Sequence, residues 1–240
     1  MKFLKPSEGR FWEIDAARGI AVLMMIAFHF LFDLYYFRGF SVALDSGFWL
    51  VFARLTLAAF LLLVGVSLSL SYDRNRRASA HYLKRGLRIF IYGLIITAVT
   101  FTFLPQAAIW FGVLHCIGLS IILAIPLLSR KEIALITGLA AIVLGALLTQ
   151  ISVPFPWLLW LGFYPAGFYT FDYVPLLPWF GVVFIGIWLG KMLYPEGKRI
   201  YNLKEVANPV SGMLAFLGRH SLLIYLLHQP ILVAVLLFAF

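Results

Sequence analysis

Seven apolar runs, separated by short polar stretches, occupy most of this chain: roughly 17–37, 48–71, 87–104, 109–128, 132–150, 174–190 and 219–239. Most are near the ~20 residues that a helix needs to cross a hydrocarbon layer. The pattern predicts an all-α, polytopic membrane helix bundle with about seven transmembrane helices. No long polar segment interrupts it, so a single transmembrane domain is expected over residues 1–240. The opening MKFLKPSEGR is polar, and the first apolar run is long enough to remain as a span rather than be cleaved as a signal peptide.

Charge gives the spans a direction. Lys2, Lys5, Arg10 and Arg18 flank the first run. Arg74, Arg76, Arg77, Lys84, Arg85 and Arg88 lie between the second and third. Arg130 and Lys131 follow the fourth, and Lys191, Lys198, Arg199, Lys204 and Arg219 lie between the sixth and seventh. Seventeen of the nineteen basic residues thus fall on one side. The other side holds only Arg38, and Arg54 falls inside the second run. By the positive-inside rule the N-terminus is cytoplasmic and the C-terminus outside, as in a multi-pass plasma-membrane protein. Such asymmetry also favours seven spans, because one wrong span would scramble it. The stretch between spans five and six is rich in aromatic residues, including Phe155, Trp157, Trp160, Tyr164, Phe168, Tyr169 and Phe171. It reads equally well as a re-entrant or interfacial cap and as an ordinary aromatic belt.

Composition agrees with this picture. The chain is 63% hydrophobic and 12% charged, against about half and a quarter for soluble domains. The net charge of +9 follows from loop topology and is not read as nucleic-acid binding. The single cysteine, Cys116, excludes an intrachain disulfide and reads as a small buried hydrophobe rather than an acyl carrier.

Ionisable residues at membrane depth are costly, so they carry the candidate chemistry. Arg18 and His29 are eleven residues apart, close to three helical turns, and Asp33 lies one turn further on the same face. His29 is the natural general base, since its ordinary pKa lies near neutrality. Asp33, at i+4, is expected to orient it as in a histidine–carboxylate dyad. Arg54, His115, Asp172, Tyr225 and His228 are candidate substrate contacts. The competing reading of all these groups is helix packing, and Arg54 would then pair with Asp33 or Asp172, or reach outward. Tyr225 and His228 share a face at i and i+3, ahead of Pro230, which should kink its helix. No histidine pair has the tight spacing of a typical zinc site, so no metal is expected. The basic residues Arg74 to Arg88 suit topology and anionic lipid, or the phosphates of a nucleotide-bearing donor.

Three stretches carry a resemblance. Arg10-Phe11-Trp12-Glu13-Ile14-Asp15-Ala16-Ala17-Arg18-Gly19 followed by His29 resembles the opening of the transmembrane acyltransferases, including the arginine–histidine signature of the acyltransferase-three group. Leu176-Leu177-Pro178-Trp179-Phe180-Gly181 and Gly218-Arg219-His220-Ser221 through His228-Gln229-Pro230 extend it. The closer likeness is to the prokaryotic family grouped with the catalytic domain of heparan-alpha-glucosaminide N-acetyltransferase, over about 10–235, although this chain is shorter than the heparan enzymes.

The resemblance implies a membrane-embedded acetyltransferase with acetyl-CoA as cytoplasmic donor and a sugar or lipid-linked hydroxyl or amine as outer acceptor. Carried over, His29 is catalytic and Arg18 a donor-side partner. Arg74, Arg76, Arg77, Lys84, Arg85 and Arg88 then become candidate CoA contacts. A homodimer is compatible with this reading. The alternative from another class is a proton-coupled transporter or channel using the same intramembrane cluster; against it stands the lack of an internal repeat. A retinal-type receptor fails because the last span has no lysine for a Schiff base.

Overall fold

The computed structural model describes residues 10–75, 78–148, 151–203 and 208–239. Among these the chain is all-helical apart from two two-residue strands. The helices are α1 (Trp12–Arg38), α2 (Gly47–Asn75), α3 (Ser79–Phe103), α4 (Val113–Ala124), α5 (Lys131–Leu148), α6 (Leu176–Leu193), α7 (Pro209–Arg219) and α8 (Ser221–Ala239). Six of them, α1, α2, α3, α5, α6 and α8, are long and apolar enough to cross a membrane. The fourth expected span is a shorter apolar helix, Val113–Leu127 once its closing turn is included. The all-helical membrane architecture is therefore the one the apolar runs predicted.

One element was not anticipated. The stretch before the last span contains a separate helix, α7. Its start is built locally: Asn208 accepts a hydrogen bond from the Ser211 backbone N–H at 2.7 Å, and Pro209 occupies the first helical position.

Contacts divide the chain into two compact units, residues 1–63 with 203–240, and residues 64–202. In the first unit, α7 runs antiparallel to α1 with backbones almost touching. A Cβ on Gly19 would lie 2.0 Å from the Leu214 carbonyl oxygen, and one on Gly218 would lie 1.8 Å from that of Asp15. The chain reverses after α7, and α8 runs beside α1 in the same direction. Where both helices end, the Arg38 guanidinium donates to the Leu236 carbonyl in the last turn of α8, satisfying one of the acceptors a helix end leaves open.

In the second unit, α5 and α6 are antiparallel and meet at Gly138 and Gly181, each facing the other's backbone oxygen. Small residues let helices approach closely where no aqueous hydrophobic effect drives them together. α3 and α4 meet in the same way at Gly86 and Gly118. The strands β1 (Ser152–Val153) and β2 (Tyr164–Pro165) pair in parallel within the aromatic loop. The segment through Phe171 and Val174 hydrogen-bonds to Ala107 and Phe111 ahead of α4.

Candidate functional site

The first unit sets the His29 and Asp33 end of the α1 stripe against α8. The His29 and His228 rings meet edge to face, with centroids 4.7 Å apart. One turn along α1, the Gln229 amide donates to Asp33 Oδ1 at 2.5 Å. Asp33 is fully buried and His228 nearly so.

Each imidazole is held by a carbonyl of its own helix. His29 Nδ1 lies 2.9 Å from the Met25 oxygen, and His228 Nδ1 lies 2.6 Å from the Tyr225 oxygen. A carbonyl only accepts, so in the neutral ring the proton sits on Nδ1 and Nε2 carries the basic lone pair. The two histidines thus have the same tautomer, and both offer an acceptor nitrogen.

This corrects one expectation. The dyad hydrogen bond between His29 and Asp33 is not formed. The i−4 carbonyl of Met25 takes the His29 N–H, and Gln229 from α8 takes the carboxylate. Sequence reasoning had given roles to neither Met25 nor Gln229. Gln229 had a visible signal, a polar residue beside His228 in an otherwise apolar run. The Met25 carbonyl had none, because every helical residue carries one.

Arg18 lies nearer the start of α1. Its Nη1 is 3.0 Å from Asp15 Oδ1 and 3.4 Å from the Gly218 carbonyl. The guanidinium therefore joins α1 to the C-terminal turn of α7, where the helix dipole favours a cation. Arg54 is exposed and forms no ion pair among the described residues.

In the second unit, His115 and Asp172 are engaged in starting α4. The Gly112 N–H donates to His115 Nδ1 at 3.2 Å, and the opposite nitrogen lies 3.4 Å from the Thr97 hydroxyl. Asp172 Oδ2 accepts from the Val113 N–H at 3.0 Å. The carboxylate caps α4 from a segment 59 residues away, placing negative charge at a helix N-terminus. Burial nevertheless pushes the Asp172 carboxyl up to about 6, with the Val113 hydrogen bond opposing. Cys116 is buried beside Ser120 and the Pro175 carbonyl, in keeping with a packing role.

Of the candidate CoA contacts, Lys84 and Arg88 are exposed on α3 and Arg85 is half-buried. Arg74 donates to the Gly197 carbonyl at 3.1 Å. Arg76 and Arg77 lie outside the described residues. Beside this group, Lys191 reaches Asp73 at 2.6 Å and sits over the Tyr72 ring.

The sequence matches the family described as heparan-alpha-glucosaminide N-acetyltransferase, catalytic, over residues 10–230. No curated protein and no solved structure matches the chain.

Proposed function

The chain belongs to the heparan-alpha-glucosaminide N-acetyltransferase catalytic family, a membrane acetyltransferase family, and on that premise we propose that it moves an acetyl group from cytoplasmic acetyl-CoA to a hydroxyl or amine acceptor, a sugar or glycolipid, on the outer side of the membrane. His29 is the base. The observation that carries this reading is its tautomer: the bond to Met25 leaves Nε2 unprotonated on a ring held in place.

In the proposed step, His29 Nε2 removes the proton of the acceptor O–H or N–H as that atom attacks the thioester carbonyl carbon. The carbon–sulfur bond then breaks and the acetyl group stays on the acceptor. The imidazolium returns its proton to the departing CoA sulfur, which leaves as the free thiol. Edge-to-face contact with His228 restrains the base, and Asp33 with Gln229 holds the next turn of the same helix face. Positioned proton transfer of this kind contributes typically ~10²–10⁴-fold.

The test is acetyl transfer in proteoliposomes, read as CoA thiol release that depends on added amino sugar. His29→Ala should lose at least about a hundredfold in kcat. Unchanged transfer in that variant would sink the assignment. A proton relay through the same histidines would instead give proton flux without release of CoA thiol.

A further inference from the structure

The buried polar atoms between α1 and α8 have a one-sided inventory. Asp33 Oδ2, His228 Nε2 and Gln229 Oε1 are each buried with no hydrogen-bond partner among the described residues. The amide orientation of Gln229 follows from its Nε2 facing Asp33 Oδ1, which leaves Oε1 as an acceptor. The tautomer of His228 follows from Nδ1 facing the Tyr225 carbonyl, which leaves Nε2 as an acceptor. In the carboxylate form of Asp33, whose Oδ1 already accepts from the Gln229 amide, Oδ2 is an acceptor too. All three orphaned atoms therefore accept, and none donates. His29 Nε2, one turn before Asp33, is a fourth acceptor on the same stripe.

Buried polar groups are almost always paired, and leaving one unpaired costs about 1–3 kcal/mol. Three together in one seam form a costly arrangement that a suitable ligand would relieve. A carbonyl, a thioester or a phosphate ester offers no hydrogen to such a set. A primary ammonium offers three, and neighbouring hydroxyls offer one each.

We propose that Asp33, His228 and Gln229 form a binding site for a head group rich in N–H or O–H donors. Granted the acyl-transfer reading, that group belongs to the acceptor substrate, and the acyl carbonyl does not bind through these atoms. Asp33 and Gln229 are then positioning residues, presenting the nucleophile to His29. The site also explains why two polar residues at this depth pair with each other and not with a histidine: each has one atom engaged and one left for ligand.

The experiment uses the purified full chain in detergent, without any acyl donor, and titrates two probes followed by thermal shift. Ethanolamine carries N–H and O–H donors. Tetramethylammonium carries the same charge and none. Ethanolamine should bind saturably and at least about tenfold tighter, a difference of about 1.4 kcal/mol. Gln229→Met should lose that preference. Because this variant leaves Asp33 Oδ1 unpaired and risks misfolding, Asp33→Leu combined with Gln229→Met removes both partners together, a change that can be nearly neutral for stability. The double variant should stay folded and lose ethanolamine binding at least tenfold.

Equal binding of the two probes would overturn the proposal, since charge alone would then suffice. Undiminished ethanolamine binding in the folded double variant would also overturn it, leaving these atoms as sites for structural water only. Both readouts are independent of acetyl-CoA. A chain that binds ethanolamine this way and releases no CoA thiol with any acceptor would keep this site and lose the acetyltransferase reading.

Discussion

Alanine at position 218 tests the closest helix crossing in the first unit. The added Cβ would lie 1.8 Å from the Asp15 carbonyl oxygen, 2.7 Å from its carbon and 3.1 Å from its Cα. All three are backbone atoms of α1, so no flexible side chain can give way. The helices must part by more than an ångström or tilt. Overpacking of a tight interior costs typically ~1–3 kcal/mol, and a backbone collision belongs at the upper end. Alanine returns up to ~1 kcal/mol through its better helix propensity. The net loss is then about 2 kcal/mol, or about 4–8 °C in Tm for a chain of this size. Parting α1 from α7 also lengthens the Arg18 contact to the Gly218 carbonyl, already 3.4 Å. The assay is scanning fluorimetry of Gly218→Ala against the unmodified protein in the same detergent. A Tm within about 1 °C of the parent would refute the crossing geometry.

Three further outcomes are expected. Asp172 binds its proton more tightly folded than unfolded, having moved from 3.8 to about 6, so its contribution to stability is full below about pH 4 and is lost as pH rises through 6. The Tm of the parent relative to Asp172→Asn should therefore fall across that window, and a constant difference would contradict the burial argument. Lys191→Met strands the Asp73 carboxylate, which accepts the Lys191 ammonium at 2.6 Å. It should cost about 2 kcal/mol, below the ~3–5 of a fully enclosed pair, while Lys191→Met with Asp73→Leu should recover most of the loss; chemical denaturation in mixed micelles reads both. Finally, if exposed Lys84 and Arg88 contact donor phosphates, replacing both by alanine should raise the KM for acetyl-CoA about tenfold at constant kcat. An unchanged KM would leave them as topology and lipid contacts.

The spans were legible because bilayer thickness imposes a length and a composition that few other folds share. The stripe of Arg18, His29 and Asp33 was legible because 3.6 residues per turn fixes which positions share a face. Helix α7 was harder to see. It has eleven residues, shorter than a span, and its signal lay in the Asn208-Pro209-Val210-Ser211 start rather than in an apolar run. His115 and Asp172 stood out in the sequence as polar groups beside apolar runs and were read as candidate substrate contacts. The use of Asp172 at the start of α4 depends on a hydrogen bond between segments 59 residues apart, which no local pattern encodes, whereas His115 bonds to the Gly112 N–H only three residues away.

By itself, the sequence determined an all-helical membrane protein, the basic loops, and a helix face carrying an arginine, a histidine and an aspartate. Periodicity and transfer energies act residue by residue, so they can be read along the chain. Only the tertiary structure decided who pairs with whom. Asp33 sits one turn from His29 yet bonds to Gln229, 196 residues away, because α8 brings an amide into the seam while the Met25 carbonyl already holds the imidazole. Hydrogen bonds are short and directional, so their partners are chosen by which helices pack together, and that choice set Asp33 against Gln229 in place of the expected dyad with His29.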